Sequence, residues 1–351
     1  MRLNKWCITK LEDIVHKRKV ICYGAGMVAH HIGYILKQYG ILDNILFFVD
    51  KDPYKKNTQI SLENLSFDIK PIDELYKQEY ENVILLITCE NYEDIVLQLK
   101  KDNKIYINDI CAYTQLNNEI VREAIESDSA SIMDEMYQPV MEYLIPANIH
   151  YCWFGNSEIP EEHKEYIAYW KQRCPEYKFY YWNESNYDIN QCQYIKEAYE
   201  SRHYAFVTDY VRMDVVYRYG GIYLDTDVEL LKSFDSLRRY RAFFTYGRWP
   251  AVNSGSGFGA TKGNKIIKEM RDNPRSYIHF KLSNGRYNKT TNCLYESEIL
   301  KKYGFKMDFS TQIINDVKIL SPKYFPSSLY LKENCIPNTA IALHKDAGSW
   351  K

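Results

Sequence analysis

The stretch Tyr217–Asp227 constrains this chain more than any other; it reads Tyr-Arg-Tyr-Gly-Gly-Ile-Tyr-Leu-Asp-Thr-Asp. It opens as the end of an apolar helix. Gly220 and Gly221 stop that helix, because a glycine after the last helical turn takes the left-handed conformation at no steric cost. Ile222, Tyr223 and Leu224 then read as a short buried strand that delivers Asp225 and Asp227 at its carboxyl end. In extended chain, residues two apart point to one face, so the two carboxylates face the same side roughly 6–7 Å apart at the backbone and Thr226 faces away. Converging carboxylates suit a hard divalent cation whose other ligands are water and phosphate oxygens. By geometry this is a metal–diphosphate site.

An Asp-x-Asp triplet alone is a weak signal. The chain carries a control in Asp50-Lys51-Asp52, which reads as a loop. The central pair is set apart by what precedes it: helix, double glycine, apolar strand, then acids.

At 351 residues, 46% of them hydrophobic, the chain can build two domains, each with its own core. A net charge of −1 provides no global basic field, which argues against nucleic acid as a partner. The 33 tyrosines suit sites that stack and hydrogen-bond at once. No basic end precedes an apolar run of signal-peptide length, and no run is apolar over the length of a membrane span. The nine cysteines lack C-x-x-C spacing, so reduced thiols and a cytoplasmic location are expected.

Residues 3–18 place Leu3, Trp6, Cys7, Leu11, Ile14 and Val15 at helical spacing among Lys5, Lys10, Lys17 and Arg18. Two readings stand: a basic helix on an anionic membrane, or one packed on its own domain. Lys19–Tyr23 reads as a strand, followed by the turn Gly24-Ala25-Gly26 and a helix to Gln38, an arrangement able to seat a pyrophosphate. A second strand, Ile45–Val49, ends in Asp50, 24 residues past Gly26, like the acid that holds a ribose in dinucleotide folds. Ala29 stands where the full glycine fingerprint has glycine. Val83–Thr88 and Ile105–Ile107 read as further strands, with a helix at Asp94–Lys101 between them. Residues 1–113 are thus expected to form a small Rossmann-like parallel α/β domain, either nucleotide-binding or a scaffold that binds nothing.

Residues 114–144, polar and ending near Pro139 and Pro146, read as a linker helix and loop. The second domain, 145–351, begins with a strand over Asn148–Phe154 that places Trp153 at its carboxyl end, where open α/β sheets bind ligands. Either Trp153 stacks on a nucleobase or it is a core residue. A helix from Pro160 to Arg173 and a strand over Lys178–Trp182 follow. The helix Ala205–Tyr219 is apolar around nearly its whole circumference yet carries Asp209, Arg212, Asp214 and Arg218. Buried charges must be paired. Asp209 and Arg212, three residues apart, either form an intrahelical ion pair or point into a pocket at sugar hydroxyls. After a strand at Ala242–Tyr246, the glycine loop Asn253–Ala260 either lines an acceptor channel or is a loose connection. Leu237–Arg241 is a basic cluster, read as a solvated face or a contact for lipid or an anionic acceptor.

From about Ile145 onward these residues resemble the glycosyltransferases of family 32, which include capsular and lipopolysaccharide sugar transferases, the yeast Golgi initiating mannosyltransferase and, more distantly, the glucosylating bacterial toxins. The likeness rests on Ile149–Gly155, Tyr204–Arg212, Gly220–Asp227, Asn253–Ala260 and His344–Trp350, in that order. It implies a GT-A fold, a nucleotide-sugar donor, Mn²⁺ or Mg²⁺, and retention of anomeric configuration. Trp153 resembles the indole that stacks on uracil, and Asp209 and Arg212 the pair that holds the donor sugar. Tyr223 and Asp225 resemble residues beside the ribose and the metal, and Asp227 the direct metal ligand. His344 stands where many GT-A enzymes place a metal-ligand histidine, and Ser349 and Trp350 resemble the pair that closes over the diphosphate. Residues 1–113 lie outside the likeness and resemble small Rossmann-like domains attached to polysaccharide-biosynthesis proteins.

The reading that follows is a metal-dependent retaining transferase. It moves a hexose from a UDP-sugar to a saccharide or lipid-linked saccharide acceptor in bacterial surface polysaccharide synthesis, at the membrane periphery and with partner proteins of that machinery. The alternative is a nucleotide-sugar-binding scaffold or sensor without turnover. A third, an oxidoreductase built on Gly24 and Gly26, finds no hydride-acceptor site after residue 145.

Overall fold

The computed structural model describes residues 2–77, 80, 82–102, 105, 107–128, 142–155, 157–275, 277–331 and 335–348. The chain divides into two compact units, Met1–Glu123 and Ala124–Lys351. Both are α/β.

The first unit runs β1 (Arg2–Asn4), α1 (Ile8–Val15), β2 (Lys19–Tyr23), α2 (Met27–Gln38), β3 (Ile45–Asp50), β4 (Thr58–Leu62), β5 (Leu65–Pro71), β6 (Val83–Ile87), α3 (Tyr92–Lys101), β7 (Asp109–Ala112) and α4 (Tyr113–Ser127). Its sheet has the order β1-β7-β6-β2-β3-β5-β4. The run β5-β3-β2-β6-β7 is all parallel, and numbering those five by chain order gives 3-2-1-4-5, the doubly wound arrangement. Strand β2 after Lys19, and β6 throughout, are apolar because both their faces are covered.

Two local expectations change, and one element was not foreseen. The helix expected over 3–18 shortens to α1, since Leu3 and Asn4 pair in parallel with Ile110 and Cys111. Ile8, Leu11 and Val15 are buried, which settles that stripe as packing within its own unit. The strand expected at Ile105–Ile107 lies instead at β7: Ile105 and Ile107 fill the core, while Ile110–Ala112 make the ladder with Leu85–Ile87. The hairpin β4–β5 went unread. Its two-residue turn uses Glu63 and Asn64, both at positive φ, the backbone of a type I′ turn without the glycine that announces one.

The second unit runs β8 (Asn148–Cys152), α5 (Glu161–Arg173), β9 (Lys178–Trp182), α6 (Gln193–Glu200), α7 (Tyr204–Tyr219), β10 (Gly221–Tyr223), β11 (Val228–Leu230), β12 (Ala242–Thr245), β13 (Phe258–Ala260), α8 (Lys265–Asp272), α9 (Asn292–Lys301), β14 (Gln312–Ile314), β15 (Val317–Leu320) and β16 (Ala342–His344). The main sheet has the order β14-β15-β12-β13-β10-β8-β9, with β10, β8 and β9 mutually parallel and β13 antiparallel to both β10 and β12. A two-stranded sheet pairs β11 with β16 and sets Val228 opposite His344. One core cluster joins Trp170, Ile222, Leu224, Phe234, Phe243 and Phe325 beneath the main sheet.

Helix α7 is buried over most of its length, as its apolar circumference requires. Gly220 ends it at φ 67° and Gly221 follows at φ 120°. A Cβ on Gly221 would stand 2.7 Å from the Asn148 carbonyl oxygen, so glycine alone allows β10 to pair with β8. Among the described residues no helix is long and apolar enough to cross a membrane.

Candidate functional site

Strand β10 ends at Tyr223, and Asp225 and Asp227 lie beyond it in a turn closed by the Val228 N–H donating to the Asp225 carbonyl at 3.2 Å. The acids are thus brought together by a turn rather than by extended alternation. Thr226 does face away: it is buried, and its hydroxyl meets His163 Nδ1 at 2.9 Å. The β11–β16 pairing carries His344 to the same place. One ligand atom each of Asp225, Asp227 and His344 lie within 4.8 Å of one another.

The electrostatics of this trio are uneven. Burial alone would raise the Asp227 carboxyl, but the His344 hydrogen bond, the His344 charge and the Ala347 N–H bring it down to about 2. His344 Nε2 lies 3.4 Å from Asp227 Oδ1, and its Nδ1 lies 3.2 Å from Asp346 Oδ1. Burial would lower the imidazole, yet these two carboxylates push it well above the ordinary histidine value. A carboxylate behind an imidazole is the usual support of a metal-ligating histidine. Two carboxylates and one such imidazole fit a divalent cation that completes its shell with water or phosphate oxygens.

Arg212 defines the wall of the site. Its side chain is only 2% exposed, and Nη2 lies 3.1 Å from Asp225 Oδ1 and 3.3 Å from Asp209 Oδ1. The ion pair within α7 therefore forms, and the guanidinium also reaches the acidic turn. Asp209 is fully buried between two cations, because Arg275 Nη2 sits 3.2 Å from its Oδ2. Burial raises the Asp209 carboxyl, opposed by Arg212 and Arg275. Tyr223 is buried too; its hydroxyl donates to Asp225 Oδ1 at 2.9 Å, and the Arg212 guanidinium stands over its ring at 5.0 Å.

The glycine loop is part of this site. The Asp225 N–H donates to the Gly255 carbonyl at 3.0 Å, and a Cβ on Gly255 would lie 2.3 Å from Asp225 Oδ2. Ser254 Oγ accepts from Arg212 Nη1 and from Asn292 Nδ2, and donates to Glu296 Oε1 at 2.7 Å. Glu296 is 1% exposed, and burial pushes its carboxyl up to about 7, partly offset by the Ser254 bond and by Arg212. Ser256 Oγ meets His344 Nδ1 at 3.1 Å.

Trp153 is half-buried, with Nε1 donating to the Ser157 carbonyl. Its ring stands edge-on to His163 at 5.9 Å, and His163 holds Thr226 between the two acids. Trp153, Arg212, Tyr223, Asp225, Asp227 and His344 thus gather around one turn, with Asp209 behind Arg212. Ser349 and Trp350 lie outside the described residues. Arg275, Asn292, Glu296, His163 and Asp346 were missed. The first four reach the site from distant parts of the chain with no local spacing to announce them, whereas Asp346 stands two residues past His344.

Other sequence features resolve by packing. Asp50 does not wait open at the glycine turn: its Oδ2 accepts from the Ala25 N–H and from Lys55 Nζ, both at 2.9 Å, and its Oδ1 from the Asp52 N–H. In the basic cluster, Arg238 is held by the Ile145 carbonyl and Asp235, and Arg241 by Asp316.

Residues 160–244 match the glycosyltransferase sugar-binding region containing a DXD motif, the segment that runs from α5 into β12. Over 141 residues the chain is 30% identical to inositol phosphoceramide mannosyltransferase 3 of Schizosaccharomyces pombe (strain 972 / ATCC 24843). That match covers 39% of this chain and 39% of the relative, so the chain spans about two fifths of the length of the curated protein it matches. Among solved structures, the PaToxG glycosyltransferase aligns over 54% of this chain and 79% of its own, at 16% identity and a TM-score of 0.37.

Proposed function

We propose that this protein is a metal-dependent retaining glycosyltransferase of family 32. Its second unit is a GT-A domain that moves a hexose from a nucleotide-sugar, UDP-linked, to a saccharide or lipid-linked saccharide acceptor of a bacterial surface polysaccharide. One observation carries the reading: Asp225, Asp227 and His344 converge within 4.8 Å at the DXD motif of the matched sugar-binding region. Asp225, Asp227 and His344 would hold Mn²⁺ or Mg²⁺, which supplies charge neutralisation at the diphosphate as the leaving group departs.

The chain's own residues divide the remaining work. Arg212, fixed by Asp209, Asp225 and Ser254, sets the Asp225 carboxylate and presents a fixed positive charge to the sugar side of the site. A charge held in a buried, prearranged position stabilises developing negative charge without reorganisation at the moment of reaction. Trp153 offers an aromatic face for the base, braced by His163. Ser349 and Trp350 are assigned to the donor diphosphate on the resemblance alone. The first unit, whose Asp50 is already taken by the Ala25 N–H and Lys55, serves as a scaffold.

A donor-hydrolysis screen across UDP- and GDP-sugars with Mn²⁺ tests this, because a retaining enzyme without its acceptor leaks sugar to water. The expected result is release from one UDP-sugar that a chelator abolishes. Mn²⁺-dependent UDP binding in calorimetry with no hydrolysis of any donor would favour the sensor reading instead. Equal UDP binding with and without Mn²⁺ would remove the metal from the proposal.

A further inference from the structure

Between Asp272 and Glu296 the chain contains no aspartate or glutamate, yet it carries Arg275, Lys281, Arg286 and Lys289. In a protein of net charge −1 that is a local excess of one sign. Arg275 turns inward onto Asp209, whereas Lys281, Arg286 and Lys289 are exposed.

The three exposed cations sit on or beside a small hairpin. Lys281 and Tyr287 form an antiparallel bridge, with Asn288 N–H donating to the Phe280 carbonyl at 2.7 Å and Leu282 N–H to the Arg286 carbonyl at 2.8 Å. Gly285, at φ 78°, closes the loop in the left-handed position that such three-residue turns reserve for glycine. The base is rigid. Phe280 is fully buried, stacks on Tyr287 at 5.2 Å, and touches His203, Phe206 and Tyr194 at 5.1 to 5.5 Å. Glu197, the carboxylate beneath the hairpin, is already taken by His279 and by the Lys281 N–H.

The apex, Ser283–Gly285, is exposed and polar, and apolar surface flanks it: Leu282 is 41% exposed, Tyr287 37%, and nearby Tyr277 68%. An exposed leucine beside the turn, tyrosines near it and cations alongside suit a lipid surface, where tyrosine settles at the headgroups and lysine and arginine meet phosphate.

We infer that the 277–289 hairpin docks this protein onto an anionic bilayer surface. Residue 289 lies just ahead of Asn292, whose side chain holds Ser254 against Arg212 in the candidate site. On the proposed transferase activity, docking through a hairpin this close along the chain to Asn292 suits a lipid-linked acceptor. The docking itself does not depend on turnover.

Vesicle sedimentation of the full chain tests the docking. Phosphatidylcholine vesicles carrying about a third phosphatidylserine should retain the protein at low salt, pure phosphatidylcholine should not, and high salt should release it. A Lys281→Ser/Arg286→Ser/Lys289→Ser triple variant should partition at least about tenfold more weakly, with an unchanged thermal melt because all three side chains are exposed. Leu282→Ser alone should weaken binding without altering its salt dependence. The inference falls if wild type and triple variant sediment alike, if neutral and anionic vesicles bind equally, or if only a soluble polyanion such as heparin binds. Vesicle binding by a protein that hydrolyses no donor would leave this inference standing and remove the transferase.

Discussion

The Arg212 guanidinium lies 3.1 Å from the Asp225 carboxylate although the two arrive on different elements, one inside α7 and the other beyond β10. This pairing couples the stability of the unit to the geometry of its reaction centre. Taking Arg212 away leaves Asp209, fully buried, with Arg275 alone, and Asp225 with only the Tyr223 hydroxyl among these partners. Arg212→Ala should destabilise the protein by about 3–5 kcal/mol, the cost of an uncompensated buried charge. Arg212→Lys keeps the charge but loses the fork, so it should recover part of that stability and little activity. Chemical denaturation of both variants measures this; an Ala variant within about 1 kcal/mol of wild type would show that the pair is not structural.

Neutralising the second acid should act on chemistry first. Asp227→Ala removes the carboxylate that faces His344 Nε2, and donor turnover should fall at least ~10²-fold, the loss attached to one electrostatic contact in the transition state. A variant within about tenfold of wild type would refute a metal role for this residue.

Metal affinity should rise with pH. In the metal-free protein His344 is held as an imidazolium by Asp227 and Asp346, with its pKa well above the ordinary value. A ligating imidazole must first lose that proton, so each binding event releases one, and affinity climbs by up to about tenfold per pH unit below the raised pKa. Calorimetry with Mn²⁺ in buffers of different ionisation heat counts the protons; a pH-independent affinity would exclude His344 from the ligand set.

Gly255 should tolerate no side chain. The Cβ of Gly255→Ala would fall 2.3 Å from Asp225 Oδ2 and 3.1 Å from Arg212 Nη1. Relief requires Asp225 to move, and a displacement of about 1 Å at a reacting group costs on the order of 10²-fold. Stability should drop by only about 1–3 kcal/mol, the range for overpacking. Activity assays beside a melt separate the two; unchanged turnover would show that the loop is free of the acids.

Glu296 should leave a signature in stability against pH. Its carboxyl rises from 4.5 to about 7 on folding, so the folded state binds the proton more tightly than the unfolded chain. Stability from this group is therefore full below pH 4.5, declines between 4.5 and about 7, and is flat above. Glu296→Gln should flatten that decline, worth at most roughly 3 kcal/mol across the window. Denaturation of wild type and variant at both ends of the window checks it; parallel curves would contradict it.

The sequence and the structure agree most where signals are local. The glycine pair after α7, the buried strand and the two acids are adjacent in the chain, and their order alone forecasts acids at a sheet end, though a turn replaces the extended alternation expected there. The buried charges of α7 were legible for the same reason, since an apolar helix cannot leave Asp209 and Arg212 unpaired. What the sequence did not reveal was supplied by distance. Arg275 and Glu296 sit in ordinary polar surroundings along the chain, and only the packing of α9 and its preceding loop against α7 makes them neighbours of Arg212. The β4–β5 hairpin escaped because Glu63 and Asn64 adopt a glycine-type backbone without glycine. Asp50 was placed at the right turn, but its neighbour Lys55 occupies it.

The pairing of β11 with β16 has a consequence in time. Asp225 and Asp227 leave the ribosome long before the imidazole that completes their trio: the backbone N–H that bonds Asp227 follows it by 120 residues. A chain folding from its amino end can build α7, β10 and the acidic turn early. It gains a competent centre only when β16 docks, so incomplete translation products would carry the motif and remain inert.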